Sequence, residues 1–265
     1  MEKGLPVALP DRHREFLDRA VKRLARHDWL VGVAASGSFA AGSMDAFSDF
    51  DLTLAVEEGA YASVLADRRL IAESLGPVLT LFTGEHVGEP RLLLCLYGPP
   101  LLHVDFLFTA LADFARRVDE PVVLWERDGR LSAALQVCEP VSLLPDPQWM
   151  EDRFWVWVHK AGGKIGRGEL FEAIEYLGFL RKRVLGPLYL GDTSGLRRLE
   201  SSDPALALEF RATLAGHDAG ECLAALRACV ELYRRRRSRG VTHRLEAERA
   251  VLEFLGELES RVGGQ

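Results

Sequence analysis

The sequence predicts an α+β chain in two parts. Strands mixed with helices fill residues 1–145, and helices alone fill residues 146–265. Three observations predict this division. Before Pro145 the apolar runs are short and several alternate with period two, the mark of strands. Beyond Pro145 the apolar residues recur at helical spacing over long stretches, with no strand-like alternation. Between the two halves, Glu139 to Gln148 carries prolines at 140, 145 and 147 and reads as a linker.

Composition narrows the class. The chain has 265 residues, 48% hydrophobic and 27% charged, enough for a large core. No run of 18 apolar residues exists, so no membrane span is expected. The opening residues show no apolar leader pattern, so the expected place of work is the cytoplasm. Cys95, Cys138, Cys222 and Cys229 form no C-x-x-C pair and read as buried free thiols, with Cys222 and Cys229 on one helix face. Net charge is −6 and uneven. Residues 1–145 hold 14 Lys and Arg against 21 Asp and Glu, while the remainder is near neutral. An acidic first half lacks the positive footprint of a nucleic-acid surface. It suits a cationic small molecule.

The elements follow in order. Asp11 is a plausible N-cap for a helix running to Arg26, with Phe16, Leu17, Ala20, Val21 and Leu24 at helical spacing. Val31 to Ala35 is a buried strand, broken by Gly37-Ser38. Asp49 to Val56 alternates: Asp49, Asp51, Thr53 and Ala55 share one face, and Phe50, Leu52, Leu54 and Val56 the other. Residues two apart on a strand lie roughly 7 Å apart and point the same way. A helix over Ala60–Leu75 follows, then strands over Val78–Phe82, Arg91–Tyr97 and Leu101–Phe108, with a loop over 84–90 and a turn at Gly98-Pro99-Pro100. A short helix over Ala110–Val118, a strand over Val122–Trp125 and a turn at Arg127–Arg130 close this half. The second half predicts helices over Trp149–Lys164, Gly168–Val184, Pro204–Ala215, Glu221–Arg237 and Thr242–Arg261, an antiparallel bundle.

Two carboxylates on one strand face repel each other and cost desolvation unless a cation sits between them. A few hard oxygen ligands, with room for water and phosphate, suit Mg²⁺. The Gly37-Ser38 turn offers backbone N–H groups and a hydroxyl to phosphate oxygens. A third acid, Asp105, interrupts the apolar run L-L-H-V-D-F-L-F, where burial without a partner is costly. An edge strand or a salt bridge would explain it blandly. His103 shares its face, and a hydrogen-bonded structural histidine is the plainer reading of that residue. Lys160 and Lys164, four apart on one helix face, are either solvated or phosphate-binding. Arg234 to Arg237 point around most of a helix and read as a solvated, partly salt-bridged helix end. No P-loop motif is present.

Gly37-Ser38, ten residues, then Asp49-Phe50-Asp51-Leu52 resembles the signature of the DNA polymerase β-like nucleotidyltransferases. The fuller string G-S-F-A-A-G-S-M-D-A-F-S-D-F-D-L is similar to the small-molecule branch, which includes aminoglycoside and lincosamide adenylyltransferases that confer antibiotic resistance. The resemblance implies a catalytic domain with a mixed sheet and helices over residues 1–145 and a helical-bundle domain over 146–265. It implies two Mg²⁺ ions held by Asp49, Asp51 and Asp105, the last also a candidate to take the acceptor's proton. It implies ATP or another NTP bound by Gly37, Ser38, Ser48, Lys160 and Lys164. The expected partner is a small hydroxyl-bearing acceptor in the cleft between domains, with neither nucleic acid nor membrane. Two rivals stay open: a protein-AMPylating enzyme of toxin–antitoxin type, and a nucleotide-binding regulator without turnover.

Overall fold

The computed structural model describes residues 9–117, 119–137, 139–141, 144–191, 196–197 and 199–263. In chain order the first half contains α1 (Asp11–Leu24), β1 (Leu30–Ala35), α2 (Gly37–Ala40), β2 (Phe50–Val56), α3 (Tyr61–Ser74), β3 (Val78–Gly84), β4 (Glu89–Tyr97), β5 (Leu102–Ala110), α4 (Leu111–Phe114), β6 (Val122–Glu126) and α5 (Arg130–Leu135). The second contains α6 (Pro147–Gly166), α7 (Leu170–Leu180), α8 (Gly186–Leu190), α9 (Leu199–Ser202), α10 (Pro204–Arg211), α11 (Ala219–Arg236) and α12 (Leu245–Val262). The chain forms two compact units, Met1–Ser142 and Leu143–Gln265. This is the α+β architecture expected, a mixed sheet with helices and then helices alone.

The six strands form one sheet in the order β3-β4-β5-β2-β1-β6. Only β2 and β5 run parallel; the other neighbours are antiparallel. One face buries the alternate residues Phe50, Leu52, Leu54 and Val56 of β2 and Leu102, Val104, Phe106 and Phe108 of β5. Against them α1 presents Phe16, Leu17, Ala20 and Leu24, and α3 adds Val64 and Ala72. On the other face a smaller core joins Val31, Ala34 and Ala55 to Phe114 and Leu131. All six residues of β1 are therefore buried, because helices cover both its faces. Gly32 permits that covering: a Cβ there would lie 2.6 Å from the Leu131 side chain and 2.8 Å from the Trp125 carbonyl oxygen.

Several expected boundaries move. Pro10, not Asp11, holds the N-cap position of α1, and Asp11 sits in the first turn, where the helix dipole favours an acid. The helix α5 follows the expected turn at Arg127–Arg130, over residues for which no element was expected, and its Leu131 docks on β1 at Gly32. The loop expected over 84–90 shrinks to a 3₁₀ turn, Glu85–Val87, and Gly88, with its ends in β3 and β4. The single helix expected over Gly168–Val184 is α7 followed by one π turn, Arg181–Leu185, which runs into α8. Pro187 has no N–H to close a regular bond near that turn. Cys95, Cys222 and Cys229 are buried and free, while Cys138 and Val118 lie outside the described residues. Among the described residues no helix is long and apolar enough to cross a membrane.

The second unit has its own core. The helix α6 contributes Met150, Phe154, Val158, Ala161 and Ile165 at helical spacing, and α11 and α12 close over them. Gly162 allows tight approach, since a Cβ there would come within 2.8 Å of the Phe254 ring. Inside this apolar packing lies one fully buried carboxylate, Glu151. It accepts from Tyr233 Oη at 2.7 Å, Arg244 N at 2.9 Å, Trp155 Nε1 at 3.2 Å and Arg237 Nη1 at 3.3 Å. Arg237 also pairs with Glu248 at 2.8 Å, as does Arg234. The arginine run is thus not merely a solvated helix end: Arg237 turns inward and is nearly buried.

Burial alone would raise the Glu151 carboxyl, but its four donors outweigh burial and hold it below the usual range. A carboxyl depressed in the folded state stabilises above its unfolded value, and that contribution is lost as pH falls through the folded value. Glu151→Gln puts an amide among donors. It is expected to lower unfolding free energy by about 3–5 kcal/mol, the usual cost of breaking a buried ion pair. Urea unfolding at neutral pH checks this; a loss under about 1 kcal/mol would mean the network is peripheral to stability.

Candidate active site

The register between β2 and β5 decides what the open face of the sheet carries. Asp51 lies directly opposite Asp105 across the parallel pair. Their neighbours Phe50, Leu52, Val104 and Phe106 point into the core. Both aspartates therefore stand on the opposite face, on strands about 4.8 Å apart. Because β5 lies between β4 and β2, the edge-strand explanation of Asp105 fails.

His103, two residues before Asp105, shares that face. Its Nε2 lies 2.9 Å from Asp105 Oδ1 and its Nδ1 lies 4.0 Å from Asp49 Oδ2. The imidazole thus bridges two of the three acids expected to hold a cation. The Asp105 side chain is 17% exposed, against 38% for Asp49 and 44% for His103. Asp105 Oδ1 is itself buried and has no aligned hydrogen-bond donor, the close imidazole notwithstanding. Asp105 raises the His103 pKa most, burial opposes it, and the charges of Asp105, Asp49 and Asp51 add to the rise.

Gly37 occupies a left-handed conformation at φ +58°, and a Cβ there would lie 2.2 Å from Asp51 Oδ2. The Ser36 N–H donates to the Asp51 carbonyl at 3.0 Å, which holds the turn beside the acid. Glycine thus serves twice here, easing the left-handed backbone and leaving room for the carboxylate.

The serines sit differently from expectation. Ser38 is buried and its hydroxyl donates to Met44 Sδ at 3.0 Å, so it faces inward rather than toward a ligand. Ser48 spends its hydroxyl on Asp45, accepting from Asp45 N at 2.9 Å and donating to Asp45 Oδ1 at 3.1 Å. That turn shapes the loop that delivers Asp49. Two residues of α1 pin it: His13 Nε2 lies 2.8 Å from the Ser48 carbonyl oxygen, and Arg12 donates to the Ala46 carbonyl. Sequence reading passed over both. The only signal for His13 was its place on the buried stripe of α1, three residues before Phe16. Phe47, at the tip, is 96% exposed.

Lys160 and Lys164 belong to α6 in the second unit. Lys164 is committed to Glu169 at 2.8 Å and Glu172 at 3.4 Å, and Glu169 also binds Arg167 at 2.7 Å. Lys160 is exposed and has no ion pair among the described residues.

Asp49, Asp51 and Asp105 present only hard oxygens, which suit Mg²⁺. The buried oxygen of Asp105 without an aligned donor fits a cation. Among the described residues, however, no three His, Cys, Asp or Glu side chains already stand in a metal-holding arrangement. Adjustment of Asp49 and His103 would be needed to admit an ion.

No protein-family model matches the chain, and no curated protein matches it. Solved structures that are similar over nearly its whole length include the following two. One is an aminoglycoside 6-adenyltransferase from Bacillus subtilis, at 15% identity, covering 95% of this chain and 97% of that one, with a TM-score of 0.33. The other is a nucleotidyltransferase-like protein from Exiguobacterium sibiricum 255-15, at 13% identity, covering 95% and 89%, with a TM-score of 0.34. The functional reading below stands on the site's own residues.

Two outcomes are expected. Gly37→Ala adds about 1–2 kcal/mol of backbone strain and also displaces Asp51. Gly42→Ala, at φ +64° with nothing near its Cβ, costs the backbone share alone. Equal destabilisation of the two variants by urea would show that the Gly37–Asp51 contact carries no energy. In an NMR titration, His103 should titrate above the usual imidazole value and return toward it in Asp105→Asn. Any stability from this pair is present below the unfolded imidazole value and is lost as pH rises through the folded one.

Proposed function

We propose that this chain is a metal-dependent nucleotidyltransferase that moves AMP from ATP, or the equivalent group of another NTP, to a hydroxyl of a small molecule. The observation that carries the reading is the parallel register that sets Asp51 opposite Asp105, with Gly37 against the Asp51 carboxylate. Asp49, Asp51 and Asp105 would hold Mg²⁺. Bound there, the ions would lower the pKa of the attacking hydroxyl and neutralise charge on the phosphates.

The chain's own groups supply the rest. The Gly37 turn brings backbone close to the triphosphate, with no side chain in the way. The acceptor oxygen bonds to the α-phosphorus while the bond to the pyrophosphate oxygen breaks, and pyrophosphate leaves. The acceptor's proton passes to the Asp105 carboxylate, whose Oδ1 lies 2.9 Å from His103 Nε2. Within the second unit, Lys164 is spent on Glu169 and Glu172, while Lys160 makes no ion pair among the described residues.

Calorimetric titration with a non-hydrolysable ATP analogue and Mg²⁺ tests this without knowing the acceptor. Asp51→Asn and Asp105→Asn should each weaken Mg²⁺-dependent binding at least about tenfold, the loss of one charge-assisted contact. Circular dichroism should stay unchanged. Wild-type binding that ignores Mg²⁺ would sink the metal assignment. Nucleotide binding without product from any hydroxyl compound would favour the regulator.

A further inference from the structure

The acids are not the whole of the open sheet face. By register, Phe82 on β3, Leu94 on β4, Asp105 on β5 and Asp51 on β2 form one row across four strands. The next row sets Thr80, Leu96 and His103 side by side, and Leu92 faces Leu107. Leu92, Leu94, Leu96, Leu107 and Phe82 belong to none of the three hydrophobic cores, among the described residues. Their alternates Leu81, Leu93 and Cys95 do. Phe82 is 50% exposed. Of the residues beside the two aspartates, only His103 can carry charge. A strip of leucines beside a carboxylate pair is an apolar surface with a polar end, the usual make-up of a small-ligand site.

The direction of the chemistry says which ligand lies there. Gly37 follows β1, which flanks β2 on the side away from β5. Phosphate drawn to that turn lies on the β1 side of the aspartates. Attacking and leaving oxygens stand roughly in line across the phosphorus. With pyrophosphate leaving toward β1, the acceptor approaches from β5 and β4, over the leucines. This inference rests on the nucleotidyl-transfer reading.

We propose that the acceptor is an amphipathic hydroxyl compound with an aromatic or alkyl group seated on Leu94, Leu96 and Phe82. It is not a polycation. Strand spacing puts Leu94 about 5 Å and Phe82 about 10 Å from Asp105, which sets the separation of that group from the reacting hydroxyl.

The test uses the full chain with Mg²⁺ and a non-hydrolysable ATP analogue. Methyl, butyl and hexyl β-glucoside present the same hydroxyls with a growing apolar tail, and kanamycin is the polycationic comparison. Affinity should rise about two- to fourfold per methylene along the glucosides. Phe82→Ser should flatten that rise and Phe82→Leu should keep most of it. Leu70→Ser, which removes an exposed leucine on α3, should leave it unchanged. Nucleotide affinity should be the same in all variants. A flat series, tighter binding of kanamycin than of hexyl glucoside, or a series indifferent to Phe82→Ser would overturn the proposal. If those results come with intact nucleotide binding, the acceptor inference alone fails. Absent nucleotide binding in the wild type would instead remove the nucleotidyl-transfer reading beneath it.

Discussion

The parallel pairing of β2 with β5 is the constraint on which the first unit depends. It brings Asp51 and Asp105 to neighbouring positions on one face, where two like charges raise each other's cost. A slip of one residue would relieve that repulsion by sending Asp105 into the core against Phe50 and Leu52 and turning Phe106 out of it, at far greater cost. The register is held because every alternate residue of both strands is large, apolar and buried. The fold therefore keeps an electrostatically unfavourable pair by making every other arrangement worse. His103 between Asp105 and Asp49 relieves part of the repulsion with a single imidazole.

The rest of the site is supported from outside the sheet. The loop ending at Asp49 makes a turn of its own through Asp45 and Ser48, and α1 reaches over with His13 and Arg12 to hold it. The buried side of α1 is thus both core and scaffold: Phe16 packs under the sheet one turn from the histidine that fixes the loop. The second unit solves a comparable problem differently. It encloses the Glu151 charge completely and satisfies it with four donors, two of them from Tyr233 and Trp155, aromatic residues that also build its core. An enclosed, satisfied carboxylate serves structure. An acid whose buried oxygen meets one imidazole and no aligned donor, as in Asp105, is not satisfied in that way.

Most of the architecture was legible because period-two and helical patterns are strong in this chain. The strands β1 and β4 announce themselves as short apolar runs, and β2 and β5, with the acids of the D-x-D pair and the third acid two residues past His103, by alternation. What escaped was set by contacts that have no local signature. The helix α5 exists because Leu131 meets the gap at Gly32, nearly a hundred residues away. The inward turn of Ser38 depends on Met44, and the commitment of Lys164 depends on Glu169 and Glu172 beyond the end of its helix. Spacing shows which residues share a face. It does not show which partner will have claimed them.

The acidity of the first half illustrates the same gap between composition and contact. Its excess of acids suggested attraction for a polycation. Yet Glu57 pairs with Arg130, Glu89 with Arg91 at 2.6 Å, and Glu120 with Arg117 at 2.7 Å. Glu126 is spent on the N–H and hydroxyl of Ser132. The ion pairs remove as many cations as acids and leave the excess unchanged, but salt screens that excess beyond a Debye length of about 8–10 Å. What a ligand meets beside Asp105 is decided at shorter range, by Leu94 and Leu96 on the next strand. Net charge steers a molecule from a distance, whereas the side chains within one strand spacing of the reacting atoms select it. On this sheet the two point to different molecules, and the nearer one governs specificity, because desolvation is complete only at contact.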